Sequence, residues 1–275
     1  MKLFQFYIKS DIHVSLAAAS LVCITSYYYG DSIAYHDVFF VFFSTLFSYN
    51  FIRVFEGERC YVCFRAIFNK QANYVLYLLI ISLAGIVYDA SSLDWRDYLI
   101  LFPAFLLTLA YVFPIVKYRN QWVSFRDYPN LKLVSIAVSW AIVSVLFPLS
   151  HHLNDVGVWY LFVQRLFLVI ALAIPFDIRD LNKDAVNLRT LPQQIGVTKT
   201  IALGIGSLLV FIVSAFIYKH YDGTTLLSDG FVFLVTLVFL IFSKPGQSKY
   251  YASFWVESIP VFWLIFLWTI LSLVK

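Results

Sequence analysis

Residues 175–196 read PFDIRDLNKDAVNLRTLPQQIG, a polar stretch set between apolar runs near 157–176 and 198–218. How those runs and this stretch are read decides the fold. Asp177, Asp180 and Asp184 recur at i, i+3 and i+7. At about 100° of turn per residue they share one helix face. Carboxylates brought together repel one another unless a cation lies between them. Mg2+ suits such a place, because it binds through a few carboxylates plus a substrate's phosphates. The plainer alternative is a solvated loop whose acids pair with Arg179, Lys183 and Arg189.

Working outward, hydrophobic residues make up 61% of the 275-residue chain and charged residues 13%. Soluble proteins carry about 25% charged residues, so this composition predicts a polytopic membrane protein. The net charge of +4 is modest and is no argument for nucleic-acid binding. Cys60 and Cys63 form one CxxC pair, which does not complete a zinc site. A span needs roughly 20 apolar residues of helix. Nine runs approach that length: near 12–29, 37–55, 73–90, 98–116, 131–149, 157–176, 198–218, 230–243 and 252–273. Helix is the expected form, because lipid offers the backbone no hydrogen-bond partners and these runs exceed barrel strands. No repeat or linker divides the chain, so residues 1–275 read as one all-α domain, a bundle of about nine helices.

Lys and Arg set the orientation. With the N-terminus cytoplasmic, sixteen of the twenty basic residues fall in or beside inner segments, three (Arg96, Lys219, Lys275) in outer ones, and Arg165 inside a span. The C-terminus then lies outside. Asp229 is read as an outer-loop residue. Three polar segments gather on the cytoplasmic side: one after the second run, one after the fourth, and the opening stretch.

DIRDLNKD followed by RTLPQQIG resembles the second aspartate-rich motif of the UbiA superfamily of intramembrane prenyltransferases. Asp180 and Asp184 fall on that motif's D-x-x-x-D pair, and Thr190, Leu191, Pro192 and Gly196 on the turn after it. Phe113, Pro114 and Lys117 are similar to the family's Y-P-x-x-K/R turn after span four, with Phe for Tyr. The first motif, N-D-x-x-D-x-x-x-D, is degenerate. Asn50 keeps the leading Asn, but Phe51 and Val54 stand at two Asp positions and Glu58 at the last. Arg53, one turn after Asn50, would then grip diphosphate directly, since a guanidinium pairs bidentately with phosphate oxygens. Its alternative is an ordinary anchor at the membrane surface.

The resemblance implies a UbiA-like enzyme that moves a prenyl group from an isoprenoid diphosphate to a lipophilic, aromatic in many members, acceptor with Mg2+. It implies Asp180, Asp184 and Asn50 as catalytic residues. Metal ligands would be Asp177, Asp180, Asp184 and Glu58. Arg53, Lys117, Lys183 and Arg165 would hold substrate. Arg165 and Gln164, inside the sixth run, need buried partners, with Glu257 a candidate for Arg165. Tyr49, Phe51 and Trp140 are candidates to shield an allylic cation with their ring faces. Two other readings stay open: a non-catalytic isoprenoid-binding membrane protein, favoured by the losses at Phe51 and Val54, and a cyclase that closes the cation on itself.

Overall fold

A computed structural model describes residues 3–56, 73–118, 120–128, 130–182, 190–217 and 223–274. The chain is all-α and polytopic. A short helix α1 (Leu3–Lys9) is followed by α2 (Ile12–Tyr29), α3 (Tyr35–Glu56), α4 (Asn73–Ala90) and α5 (Trp95–Val112). A hairpin β1 (Val116–Tyr118) and β2 (Gln121–Val123) precedes α6 (Leu131–Ala141), which runs on through a π-helical turn, Ile142–Leu146. Then come α7 (Val156–Asp180), α8 (Leu191–Ile195), α9 (Val197–Ile217) and α10 (Gly223–Ile241). A second π turn, Tyr251–Val256, leads into α11 (Ile259–Val274). Among the described residues seven helices are long and apolar enough to cross a membrane, and Tyr74–Ala90 and Leu131–Leu146 are shorter apolar helices.

The helices close a ring: α2 packs on α3 and α11, α6 on α5 and α7, and α9 on α7 and α10. Helix α10 meets α11, which returns to α2. α2 is the most enclosed helix, apolar around its circumference, and Ala17, Ala18 and Ala19 let neighbours approach closely. The outer surface inverts the soluble pattern. Ile80, Ile81 and Val87 of α4, Phe102 and Phe105 of α5, and Val213 and Phe216 of α9 are all exposed. That is the surface a lipid environment accepts.

Local chemistry sets the ends. Gly30 closes α2 at φ 83°, and the Asp31 N–H reaches back to the Ser26 carbonyl at 2.9 Å. The Asp155 carboxylate caps α7 by accepting from the Gly157 N–H at 2.8 Å. Thr190 and Gln193 form a capping box on α8. The fourth run ends at Val112 rather than near 116, because Pro114 disfavours helix at Phe113. Lys117 therefore lies in the hairpin, opposite Trp122. The eighth run also differs from its expectation: α10 starts at Gly223, and Asp229 is fully buried inside it. Hydropathy alone assigns Thr224, Thr225, Ser228 and Asp229 to a loop, whereas three of these four are buried in the bundle.

Candidate functional site

A cavity of about 240 Å³ opens in the ring between α2, α3, α5, α6, α7 and the segment joining the second π turn to α11. Helix α7 supplies one wall through Val169, Leu172, Ala173, Phe176, Asp177 and Asp180, steps of three and one that keep a single face. Helix α6 supplies Lys132, Ile136 and Trp140 at successive turns. Tyr49 of α3 and Tyr111 of α5 add aromatic surface beside Trp140. The ionisable groups in the wall are Lys132, Asp177, Asp180 and Glu257, beside the two tyrosines.

Two of the carboxylates have basic partners. Lys132 Nζ donates to Asp177 Oδ1 at 2.8 Å. The Arg179 guanidinium forks onto both oxygens of Asp180, with its Nε 3.0 Å from Oδ1. Arg179 also donates to Ser253 Oγ at 2.8 Å and to the Lys249 carbonyl at 3.2 Å. It thereby ties the end of α7 to the second π turn. Glu257 differs: it lines the cavity, and its carboxylate has no hydrogen-bond or ion-pair partner among the described residues. Asp11 and Arg179 lie within its electrostatic reach. At the bundle's surface, burial first and then the charge of Glu257 hold the Tyr7 phenol above its ordinary value.

The residues that resemble a first motif lie elsewhere. Asn50 and Arg53 are not among the residues lining the cavity. Asn50 is fully buried and its Nδ2 donates to the Ser10 carbonyl at 3.0 Å and the Leu46 carbonyl at 2.9 Å. Arg53 donates to the Lys9 carbonyl, and to Asp11 Oδ1 at 2.6 Å. Asp11 holds a left-handed backbone, φ 62°, at the corner between α1 and α2. Asn50 and Arg53 thus clamp that corner. His13 completes it. A carbonyl only accepts, so His13 Nε2–H donates to the Phe254 carbonyl at 3.0 Å, and Nδ1 accepts from Tyr7 Oη at 2.8 Å. Phe51 stacks on Phe47 and meets Phe113 edge-on, outside the cavity wall, whereas Tyr49 and Trp140 line it.

Arg165 is buried toward the opposite end of α7, away from the cavity wall. Its Nη2 donates to Thr25 Oγ1 at 3.0 Å and its guanidinium covers the Trp263 ring at 5.0 Å. The acid within its electrostatic reach is Asp229, not Glu257. Asp229 accepts from Tyr28 Oη and from Gln164 Nε2, each at 2.8 Å. A charge inside a span must find such a partner, and this one lies on a helix that hydropathy truncated. Lys117 is exposed on its hairpin. Asp184, Lys183, Arg189 and Glu58 lie outside the described residues, as do Cys60 and Cys63.

Lys132, Tyr111, Phe176 and Glu257 are cavity residues that sequence reasoning did not place there. The spacing of Lys132, Ile136 and Trp140, one charge and two apolar residues on one face at the start of a span, is the signal that marks α6. Glu257 carries a weaker one, a lone acid in an apolar run.

No family model matches the chain, and no curated protein matches it in sequence. Among solved structures it superposes on a UbiA homologue from Archaeoglobus fulgidus, a structure bound to GPP and Mg2+. The two share 11% identity, with a TM-score of 0.61 over 96% of each chain. The fold is UbiA-like. At that identity the likeness concerns the fold. Among the described residues no three His, Cys, Asp or Glu side chains converge as a metal group. Asp177 and Asp180, on successive positions of the cavity face of α7, are the described carboxylates whose chemistry suits Mg2+ together with phosphate oxygens.

Proposed function

We propose that this chain is a membrane prenyltransferase-like enzyme that takes an isoprenoid diphosphate and a lipophilic acceptor. The observation carrying the reading is the make-up of one cavity. It has acids and a lysine near the end of α7, and aromatic and aliphatic walls leading away from them, within a UbiA-like bundle. An allylic diphosphate has the same division. Its head is charged and its tail is apolar.

In this reading the tail lies along Val169, Leu172 and Phe176, and the head lies by Asp177, Asp180 and Lys132. Lys132 donates to diphosphate oxygens as a point charge. Asp177 and Asp180, with Asp184, would hold Mg2+, which when bound neutralises the leaving diphosphate. Tyr49, Tyr111 and Trp140 enclose the apolar part and exclude water from the reacting carbon. The N-terminus and the Asp180 end of the bundle face the cytoplasm, on the charge bias of the segments there.

The test is incubation of the purified protein in detergent with Mg2+ and labelled farnesyl and geranylgeranyl diphosphates, with and without lipophilic aromatic acceptors. Transfer supports the reading. Diphosphate release with cyclised product and no acceptor points to a cyclase. A non-catalytic isoprenoid binder is favoured by one observation, the use of Asn50 and Arg53 in the α1 corner instead of the cavity. Binding with no diphosphate release selects that reading.

A further inference from the structure

Glu257 makes the cavity more than a greasy slot. Of the charges in its wall, Lys132 is matched to Asp177, and Asp180 to Arg179 just outside. Glu257 is left over. Arg179 reaches it only through space, because its nitrogens are directed at Asp180, Ser253 and Lys249. Asp11, the other charge within reach, is also negative and is matched to Arg53. The second π turn sets the position. The Glu257 N–H bonds five residues back to the Ala252 carbonyl at 3.2 Å, and the widened turn delivers Glu257 to the wall. Single π turns set into α-helices occur frequently at functional sites. The first π turn begins two residues after Trp140, in the facing wall.

Ring faces attract positive charge, and Tyr49, Tyr111 and Trp140 line the same chamber. A carboxylate and three electron-rich rings in an apolar cavity are the chemistry that recognises a lipophilic organic cation. We propose that Glu257, with Trp140 and the two tyrosines, forms a binding site for such a cation, held in the cavity beside the acids of α7. Two sources share this chemistry. One is the allylic carbocation left when the substrate's C–O bond breaks and its electron pair stays on the diphosphate oxygen, which rests on the enzymatic reading above. The other is a stable ammonium group on a lipophilic molecule, which does not.

The probe is a farnesyl chain ending in a dimethylammonium group, compared with its uncharged isopropyl-ended isostere. Binding is measured by calorimetry in a neutral detergent. Wild type should bind the ammonium compound roughly tenfold or more tightly than the isostere, the size of one charge-assisted contact. Glu257→Gln should abolish that difference and leave affinity for the isostere unchanged, which also reports that the cavity is intact. Glu257→Asp keeps the charge and should keep part of the preference. Trp140→Leu should reduce it. Adding inorganic diphosphate with Mg2+ separates the sources: tighter ammonium binding indicates a cation paired with the leaving group, and unchanged binding indicates a standing ammonium ligand. Farnesyl diphosphate binding is followed in the same proteins. Its absence in wild type would remove the enzymatic reading and leave the cation site standing. Equal affinity of wild type for the charged and neutral probes, or a preference that survives Glu257→Gln, overturns the proposal.

Discussion

Replacing Lys132 with Met tests how the cavity would grip a charged head. The pair it breaks is close, with Nζ 2.8 Å from Asp177 Oδ1, and it is mostly shielded: the side chains are 30% and 8% exposed. A hydrogen bond to a charged group contributes about 1.5–3 kcal/mol. If Lys132 donates to diphosphate, its loss lowers affinity for farnesyl diphosphate about 10- to 150-fold. Because Asp177 already holds part of the ammonium's donor capacity, the lower end is expected. Asp177→Asn then acts in two directions. Without Mg2+ it releases Lys132, and affinity should rise. With Mg2+ it removes a metal donor, and affinity should fall. Equilibrium binding of labelled farnesyl diphosphate to the single and double variants, with Mg2+ or with chelator, reads all of these. Lys132→Met within twofold of wild type under both conditions would refute the placement of the head group. The same sign for Asp177→Asn under both conditions would refute its double role.

Asp180→Asn and Asp184→Asn should each remove Mg2+-dependent diphosphate binding while thermal unfolding in detergent stays cooperative; unchanged affinity in both would leave them as surface acids. Arg53→Gln should loosen the α1 corner, seen as faster proteolysis before Ile12, and change diphosphate affinity by less than about twofold, because its hydrogen bonds go to Lys9 and Asp11. A loss of affinity on the scale expected for Lys132→Met would return Arg53 to the binding site. Asp229→Leu should destabilise the bundle by about 1–3 kcal/mol or more, because it removes the buried acceptor of Tyr28 and Gln164 beside the Arg165 charge. Adding Arg165→Met should recover part of that, and strict additivity would show that the two do not interact. A cysteine at position 182 should react with a membrane-impermeant thiol reagent only from the cytoplasmic side, and labelling from outside would invert the orientation.

The apolar runs carried most of the fold, because burying a backbone in lipid leaves helix as the workable form. They failed where polar residues are buried in pairs. Asp229 reads as loop by hydropathy, yet Tyr28 and Gln164, distant in sequence, satisfy it inside α10. The α1 corner was also hidden, since seven residues are too few for a periodic signal. At the site, the spacing of Asp177 and Asp180 located one wall. The opposing wall was not legible, because Glu257 and Lys132 gain meaning only when α6 and the second π turn face α7. Asn50 and Arg53 are bonded at the corner between α1 and α2. They occupy motif positions by resemblance, but α1 offers their nitrogens carbonyls and a carboxylate at closer range.

Protein interiors close up around voids of this size unless something holds their walls apart. Here the walls are pinned beyond both ends of the cavity. Away from the α7 acids, Trp263 donates to Ser228 at 2.8 Å and to Tyr28 at 3.3 Å, and Arg165 joins Thr25, so that α2, α7, α10 and α11 are fixed in register. At the other end Arg179 ties α7 to the second π turn, His13 ties α2 to Phe254, and Asn50 ties α3 to Ser10. Buried hydrogen-bond networks stiffen what they connect. The residues between the two sets of ties, Tyr49, Trp140, Phe176 and Glu257, are thereby kept from collapsing on one another. The segment from Asn50 to Arg53 fits this account. Asn50 and Arg53 contribute by holding the corner from which α2 enters the bundle, and the charged groups left in the cavity wall are Lys132, the α7 acids and Glu257.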